Sequence, residues 1–427
     1  MDFEERKKGF FDKRLETLPP QERDDYLSKK LAKFVKYTYQ NSRAFRERLN
    51  EVGVSPDDIR GLEDLEKIPL ARKEDLATRQ KGEIPFGGFE TEPPNKARRI
   101  YVNPGLIFQP GEGEYEIRNW AEALFACGMR QGDIVQNTFN YHLWPFALTL
   151  DESLGKLEIT VIPTGVGNTM MQINIMQTLK VNGFMGTPSF LMTLAERAEA
   201  MGVDLKKDLN LEVGFVSAEM LPEGLRQRLE EKFGMIVRQG YGTVFTGCLG
   251  YECYYKNGLH LPQNIIVEIV DPHTGKRVSP GTTGEVVATN FNPSFPMIRY
   301  ATGDLSILVE ERCPCGRTSS RLKKILGRID QATKVKGTFI HPWQTDEVAA
   351  QFPEIFKYQV IITRKDHTDV MTFVAEVKDE AVDKVLLRGR LEKVIKETLT
   401  IKGEVEVVPP GTIPDWHQKI VDRRRWE

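Results

Sequence analysis

The chain is poor in the residues that mark several protein classes. Five cysteines and six histidines in 427 residues cannot make the dense disulfide framework of a small secreted scaffold. No run approaches the roughly twenty apolar residues that a bilayer-crossing helix needs. The opening Met1-Asp-Phe-Glu-Glu-Arg-Lys-Lys has no apolar signal segment, so a cytoplasmic location is the expectation. Neither sign of charge is in excess. A formal net charge of -2 gives no pull toward nucleic acid or an anionic membrane, and neither is expected as a partner. What is there is 40% hydrophobic and 28% charged residues, enough for large globular cores. The length predicts two or three domains.

Along the chain the texture changes twice. The first 85 residues read as a polar helical lead-in packed on a larger body. Leu31, Phe34, Val35, Tyr37 and Phe45 recur at helical spacing over 27–50. From about 95 to 240, strands expected at 134–139, 158–163, 181–185 and 211–216 alternate with helices at 115–128, 171–180, 189–201 and 222–233. That alternation predicts an α/β fold with a layered, parallel core. Ligands in such sheets sit at the carboxyl ends of the strands, where Gly165-Val-Gly-Asn, Ser217-Ala-Glu and Gly240-Tyr-Gly fall. Residues 260–310 read as β-rich, and after about 328 the pattern restarts as a small α+β module. The expected domains are a lead-in (1–85), a large domain (86–327) and a small one (328–427).

Two residue groups carry chemistry. Cys253 and His260, answered by Cys313-Pro-Cys315-Gly, are the donor set of a closed tetrahedral zinc site, structural rather than catalytic. The bland alternative is buried thiols in a core, which is how Cys127 and Cys248 are read. Phe139, Tyr141, His142 and Trp144 read equally as an apolar pocket for an acyl group or as ordinary packing.

Seven motifs then fall in one order: Val161-Ile-Pro, Gly186-Thr-Pro-Ser, Ser217-Ala-Glu, Gly240-Tyr-Gly, Arg299-Tyr-Ala-Thr-Gly-Asp-Leu, Gly327-Arg-Ile-Asp and Pro409-Pro-Gly-Thr-Ile-Pro. In them the chain resembles the phenylacetate–CoA ligase-type members of the adenylate-forming enzymes over nearly its whole length. The resemblance implies a large N-terminal domain with a β-rich subdomain and a small mobile C-terminal one. It implies an acid–thiol ligase that makes an acyl-adenylate and then a CoA thioester. Ser217, Ala218, Glu219, Tyr241 and Gly242 would meet the adenine. Asp304 would accept from both ribose hydroxyls, and Arg328 would face ribose or phosphate. Asp330 takes the hinge position, and Lys336 and Gly337 the CoA side. A subset of the family places a structural zinc on the same Cys253, His260, Cys313 and Cys315. The family's final catalytic lysine falls on Lys419 counting forward from Pro410, or on Trp416 counting back from Ile420.

The pattern breaks where ATP would bind. In place of the family's Ser-Ser-Gly-Thr-Thr-Gly-Lys-Pro the chain has Asn103-Pro-Gly-Leu-Ile-Phe-Gln-Pro110, losing the hydroxyls and the lysine of a phosphate cradle. Val244 and Phe245 stand where the family has a hydroxyl residue and a magnesium-holding Glu. Magnesium wants oxygen ligands, so its use is doubtful and that of AMP or ATP open. Three readings follow: a divergent aryl- or acyl-CoA ligase, a retooled member that binds a CoA thioester or AMP without using ATP, and a non-catalytic partner protein. The expected ligands are CoA, zinc, and a small carboxylate, aromatic if the pocket is real, or its thioester. A homodimer stays open.

Overall fold

The computed structural model describes residues 4–111, 113–329, 333–335, 338–340, 342–365, 368–414 and 418–424. It divides into two compact units, one of 1–302 with 306–324, the other of 303–305 with 325–427. Among the described residues no helix is long and apolar enough to cross a membrane.

The first unit opens with α1 (Lys13–Glu16), α2 (Pro20–Asn41), α3 (Arg43–Glu51) and α4 (Lys73–Gly82). The helical pattern of 27–50 is two helices, not one. Ser42 turns extended, and its hydroxyl accepts from Phe45 N to cap α3. Leu27, Leu31, Val35, Phe45 and Leu49 bury one apolar stripe against Ile266, Phe291 and Ile298.

A hairpin follows, β1 (Ile100–Asn103) and β2 (Ile107–Pro110), paired antiparallel. Then come α5 (Glu114–Cys127), β3 (Ile134–Asn137), α6 (Phe146–Gly155), β4 (Thr160–Pro163), α7 (Thr169–Thr178), β5 (Gly183–Gly186), α8 (Pro188–Ala200), β6 (Val213–Val216), α9 (Glu223–Phe233) and β7 (Ile236–Thr243). Their order across the sheet is β4-β3-β5-β6-β7, with every neighbour parallel. This is the expected βα alternation, each strand shorter than its apolar run. Alternate side chains face opposite layers. Met185, Val213 and Phe215 pack with Trp120, Leu124, Leu150 and Leu154 of α5 and α6. Phe184 and Val216 pack with Ile173, Leu191, Leu194 and Phe233 of α7, α8 and α9. Covering both faces is what a parallel sheet demands.

The sheet continues beyond β7 through β8 (Gly247–Tyr251), β9 (Leu259–His260), β10 (Ile266–Val270), β11 (Thr283–Thr289), β12 (Tyr300–Val309) and β13 (Arg321–Leu322), in the order β8-β9-β13-β12-β11-β10. This is the β-rich segment. In the second unit β14 (Gly327–Arg328) pairs antiparallel with the Asp304–Leu305 segment of β12. After β15 (Thr333–Val335), β16 (Thr338–Ile340) and α10 (Pro342–Ala350) come β17 (Ile355–Lys365) and β18 (Thr368–Val377), then α11 (Lys384–Leu399), β19 (Glu404–Val408) and β20 (Ile420–Asp422). These last four strands make one sheet, ordered β19-β18-β17-β20. Leu387, Leu391 and Ile395 of α11 pack with its Val360, Ile362 and Phe373.

Two buried charge sites brace the first unit. Arg226 of α9 grips Glu252 bidentately at 2.7 and 2.7 Å, and both side chains are buried. Removing one partner strands the other charge, so Arg226→Met should cost about 3–5 kcal/mol in chemical denaturation. Glu122 of α5 accepts from Tyr251 Oη at 2.6 Å and from Gln263. Burial, reinforced by the charge of Glu16, pushes its carboxyl up to about 7. A carboxyl that holds its proton more tightly folded than unfolded contributes stability at low pH. That stability drains as pH rises from roughly 4.3 to 7. Wild type should therefore lose stability across this window relative to Glu122→Gln, measured as urea midpoints at stepped pH.

Candidate functional site

A cavity of the first unit, about 520 Å³, opens where the parallel strands end. Thr138, Thr187 and Ser217, the residues directly after β3, β5 and β6, line it together with Gly242 and Thr243 at the end of β7. That is the place a doubly covered sheet reserves for ligands. Trp120, Phe139, Trp144, Phe146, Phe190, Phe245 and Phe295 supply aromatic wall. Among the described lining residues there is no lysine, arginine or histidine.

Two glycines let the floor form. A Cβ at Gly240 would meet the ring of Phe215 and, at 3.0 Å, that of Trp120; one at Gly242 would meet Trp120 at 2.8 Å and the Gly247 carbonyl. The indole therefore lies across the end of β7, edge-on to Phe146 and Phe215. Only a residue without a side chain permits so close an approach.

The expected adenine residues distribute unevenly. Ser217 is buried and its Oγ donates to Gly240 O at 2.8 Å, tying β6 to β7. Ala218 lines the cavity in a left-handed conformation, φ 67°. Glu219 turns outward to accept from Ser189 N and Oγ. Tyr241 is half-buried, its hydroxyl 3.5 Å from Thr302 Oγ1. Neither Glu219 nor Tyr241 is among the lining residues; Gly242 is.

Of the four acyl-pocket candidates, Phe139 and Trp144 line the cavity. Tyr141 and His142 do not. Tyr141 Oη donates to both oxygens of Asp151 at 2.9 and 3.0 Å, and His142 is exposed on the loop, its N–H bonded to Asn140 Oδ1. Burial pushes the Asp151 carboxyl up, countered by its bonds to Asn137 and Tyr141. Glu116, Trp120, Phe146, Phe190 and Phe295 carried no motif. Glu116 and Trp120 stand four residues apart on α5, so both face the cavity. The Glu116 carboxylate is fixed there by the amides of Asn290 and Asn292. Helical spacing in the sequence could have paired them; which face they take depends on the sheet.

In the second unit Asp304 Oδ1 lies 3.2 Å from Arg328 Nη1. Gly303, at φ 78°, leaves room for that guanidinium, which a Cβ would meet at 2.8 Å. Lys419 Nζ sits at 2.6 and 2.8 Å from the two oxygens of Asp346, which also accepts from Tyr358 Oη. Asp330, Lys336, Gly337 and Trp416 lie outside the described residues.

The segment 103–110 lies in the β1–β2 hairpin. Its tip is Pro104-Gly105-Leu106, with Gly105 and Leu106 at φ 91° and 56° and Leu106 exposed. The Gln80 side chain takes both the N–H and the C=O of Phe108, each at 2.8 Å. Gln109 accepts from Asn103 and donates to Val244 O at 2.8 Å. Ile107 and Phe245 are buried in one apolar cluster with Leu76, Phe86, Phe295 and Tyr300.

A second constellation lies apart from the cavity lining. One ligand atom each from Cys253, His260, Cys313 and Cys315 falls within 4.8 Å of all the others, three of the four residues being buried. Cys253 Sγ and Cys313 Sγ are 3.7 Å apart, close to the edge, roughly 3.8 Å, of a tetrahedron with ~2.3 Å zinc–sulfur bonds. Cys315 Sγ lies 3.4 Å from His260 Nε2. Ser319 Oγ meets the other ring nitrogen at 3.3 Å, the outer contact that aims an imidazole at a metal. The donor set fits zinc. Arg321, fully buried, donates to the carbonyls of Asn257 and Glu311, one in each loop that carries the cysteines. Arg317 pairs with buried Glu16 at 2.7 Å, and Thr318 bonds Glu16 O and Leu18 O.

Comparison with known proteins agrees with this architecture. A family model described as AMP-binding enzyme matches residues 158–292, and one described as AMP-binding enzyme C-terminal domain matches 337–424. A phenylacetate-coenzyme A ligase of Thermus thermophilus is 31% identical over 94% of this chain and 95% of its own. That of Escherichia coli is 28% identical over 94% of each. An open conformation of 2-hydroxyisobutyryl-CoA ligase, in complex with its acyl-AMP and CoA, superposes with a TM-score of 0.83 at 26% identity, covering 96% of this chain and 93% of that one. Sequence identity and fold agree across nearly the whole length of both, and the chain belongs to the phenylacetate–coenzyme A ligase family of adenylate-forming enzymes.

Proposed function

We propose that the protein joins an apolar, aromatic carboxylic acid to CoA, or acts on the resulting thioester. The carrying observation is one cavity in which Ser217, Ala218 and Gly242 meet Phe139, Trp144, Trp120 and Phe146. Aromatic walls reward an apolar acyl group by about 0.8 kcal/mol for each buried methylene equivalent. With no cation among the described lining residues, a carboxylate has nothing there to offset its desolvation. The acyl group enters and the carboxyl carbon stays toward the mouth. In the same reading the Ser217–Glu219 turn and Tyr241 take the adenine, Asp304 the ribose hydroxyls, and Arg328 the ribose or phosphate. Asp330 is the hinge, Lys336 and Gly337 serve the CoA side, and Lys419 is the cation for the carboxylate and α-phosphate. Asp346 pairs with that lysine.

A second reading has a specific observation behind it: a CoA thioester or AMP is handled without ATP and magnesium. Phe245 and Ile107 share one apolar cluster, and the Phe108 N–H is already spent on Gln80. Losing the phosphate loop and the metal carboxylate separately could be drift. Their burial against each other supports a joint replacement, since phosphoryl chemistry rests on just such fixed charges. Cys253, His260, Cys313 and Cys315 would hold a structural zinc, whose work is to close two loops into one knuckle.

Two measurements separate these readings, and two more test the ribose and zinc assignments. With a panel of aromatic acids, magnesium-ATP and CoA, a ligase releases AMP and pyrophosphate only when an acid is present; no release across the panel removes the ligase reading. Thermal stabilisation by AMP or a CoA ester but not by ATP supports the second, because a ligand of the folded state alone raises its melting point. Asp304→Ala should abolish the AMP shift, and an unchanged shift overturns the ribose assignment. Elemental analysis should give about one zinc per chain, lost with a drop in melting temperature in Cys315→Ala; finding no metal removes the knuckle.

A further inference from the structure

Lys30, on α2, ends in an aromatic cage. Its Nζ lies 3.5 Å from the ring centre of Tyr115, 4.3 Å from that of Phe291 and 5.6 Å from that of Tyr26. Its polar partner is the side-chain oxygen of Asn264, at 2.8 Å, which also accepts from Tyr26 Oη. The groups facing it come from α2 (Tyr26), from α5 (Tyr115) and from the segments before β10 (Asn264) and after β11 (Phe291), and all are neutral. Among the described residues no carboxylate lies within ion-pair distance. The next charges out, Asp12, Arg14 and Arg118, act on Tyr26. Lysines at surfaces pair with acids or with water; this one has been taken from water into an apolar box and left half-open.

We propose that Lys30 is an acylation site, its amine taking the acyl group of a CoA thioester. The nitrogen lone pair attacks the thioester carbonyl and the C–S bond breaks. CoA then leaves as the thiol, carrying the proton the nitrogen gives up. No electrons are exchanged and no further reagent is needed. The product is a neutral amide whose remaining N–H still donates to Asn264 and whose acyl carbons lie on the faces of Tyr115 and Phe291. Acylation thus removes the one feature the cage tolerates poorly, a partly desolvated charge. The site needs only an acyl thioester, so it stands apart from the question of how this protein treats ATP.

The chemistry of the amine agrees with the geometry. Aromatic faces favour the ammonium and burial favours the free base; burial is the larger effect and brings Lys30 down to about 7. At neutral pH such an amine is about half free base, against roughly one part in 2,500 for an ordinary lysine. Desolvated lysines are the nucleophilic ones.

The test uses the full chain, acetyl-CoA at pH 7, and peptide mass spectrometry of initial rates. Lys29 and Lys33, exposed on the same helix, are internal references. Lys30 should label at least roughly ten-fold faster than either, with a rate that levels off above pH ~8 while theirs keeps climbing. Labelling no faster than Lys29 and Lys33, or a profile that inflects near 10, overturns the proposal. Asn264→Asp sets a carboxylate against the amine and favours the ammonium. It should cut Lys30 labelling at pH 7 at least roughly three-fold, and an unchanged rate rules out the cage as the cause. Should that variant fail to fold, the wild-type pH profile decides alone.

Discussion

The indole of Trp120, laid across the end of β7, is the constraint on which the site depends. It is possible because Gly240 and Gly242 offer no side chains to the space. It converts the end of a strand into a floor, with Phe146 and Phe215 as its edge-on neighbours. Glu116, one turn earlier on α5, is thereby set into the same cavity. From β3, β5 and β6 the chain needs only to run off the sheet in sequence for Thr138, Thr187 and Ser217 to arrive at the rim. The glycines of Gly240-Tyr-Gly thus serve packing as well as approach, and a motif usually read for its ligand is also a statement about one tryptophan.

The hairpin at 100–110 is a paired, side-chain-clamped structure where the sequence reading expects an open phosphate loop. Phosphate cradles hold backbone N–H groups open and flexible loops ready. Here the loop is zipped into two short strands, its Phe108 peptide is clamped by Gln80, and its Gln109 reaches across to the Val244 carbonyl. Phe245 then closes the gap from the other side in the cluster that buries Ile107. Ile107 and Phe245, where the sequence reading expects phosphate- and magnesium-handling residues, are 138 residues apart in sequence (245 − 107) and share one buried cluster.

Much of the fold was legible because each parallel strand is an apolar run followed by an amphipathic helix. The predicted helix at 222–233 and strand at 181–185 differ from Glu223–Phe233 and Gly183–Gly186 by a residue or two, which is where hydrogen bonding rather than hydrophobicity sets the ends. Ser42 was harder, because the apolar spacing runs on past the cap. The site was legible in its glycines, in Phe139 and in Trp144, which sit in or beside strand-end loops. Tyr141 could not be told from them by composition; only the position of Asp151 on α6 draws it aside. Trp120 and Phe190 lie inside helices, where an aromatic on the apolar stripe reads as core until the neighbouring layer is known.

The Cys253–Cys315 knuckle bears on the segment 9–18. Three thiolates and an imidazole around a divalent ion carry one net negative charge, and two buried guanidiniums stand by: Arg317, already matched by Glu16, and Arg321, matched by carbonyls alone. A bound zinc would bring the set of ion, three thiolates, two guanidiniums and the Glu16 carboxylate to electroneutrality while Glu16 stays seated on the Arg317–Thr318 turn. On that reading a bound zinc would help fasten α1 to the strands β9 and β13, and its removal would be felt first as a loosened α1.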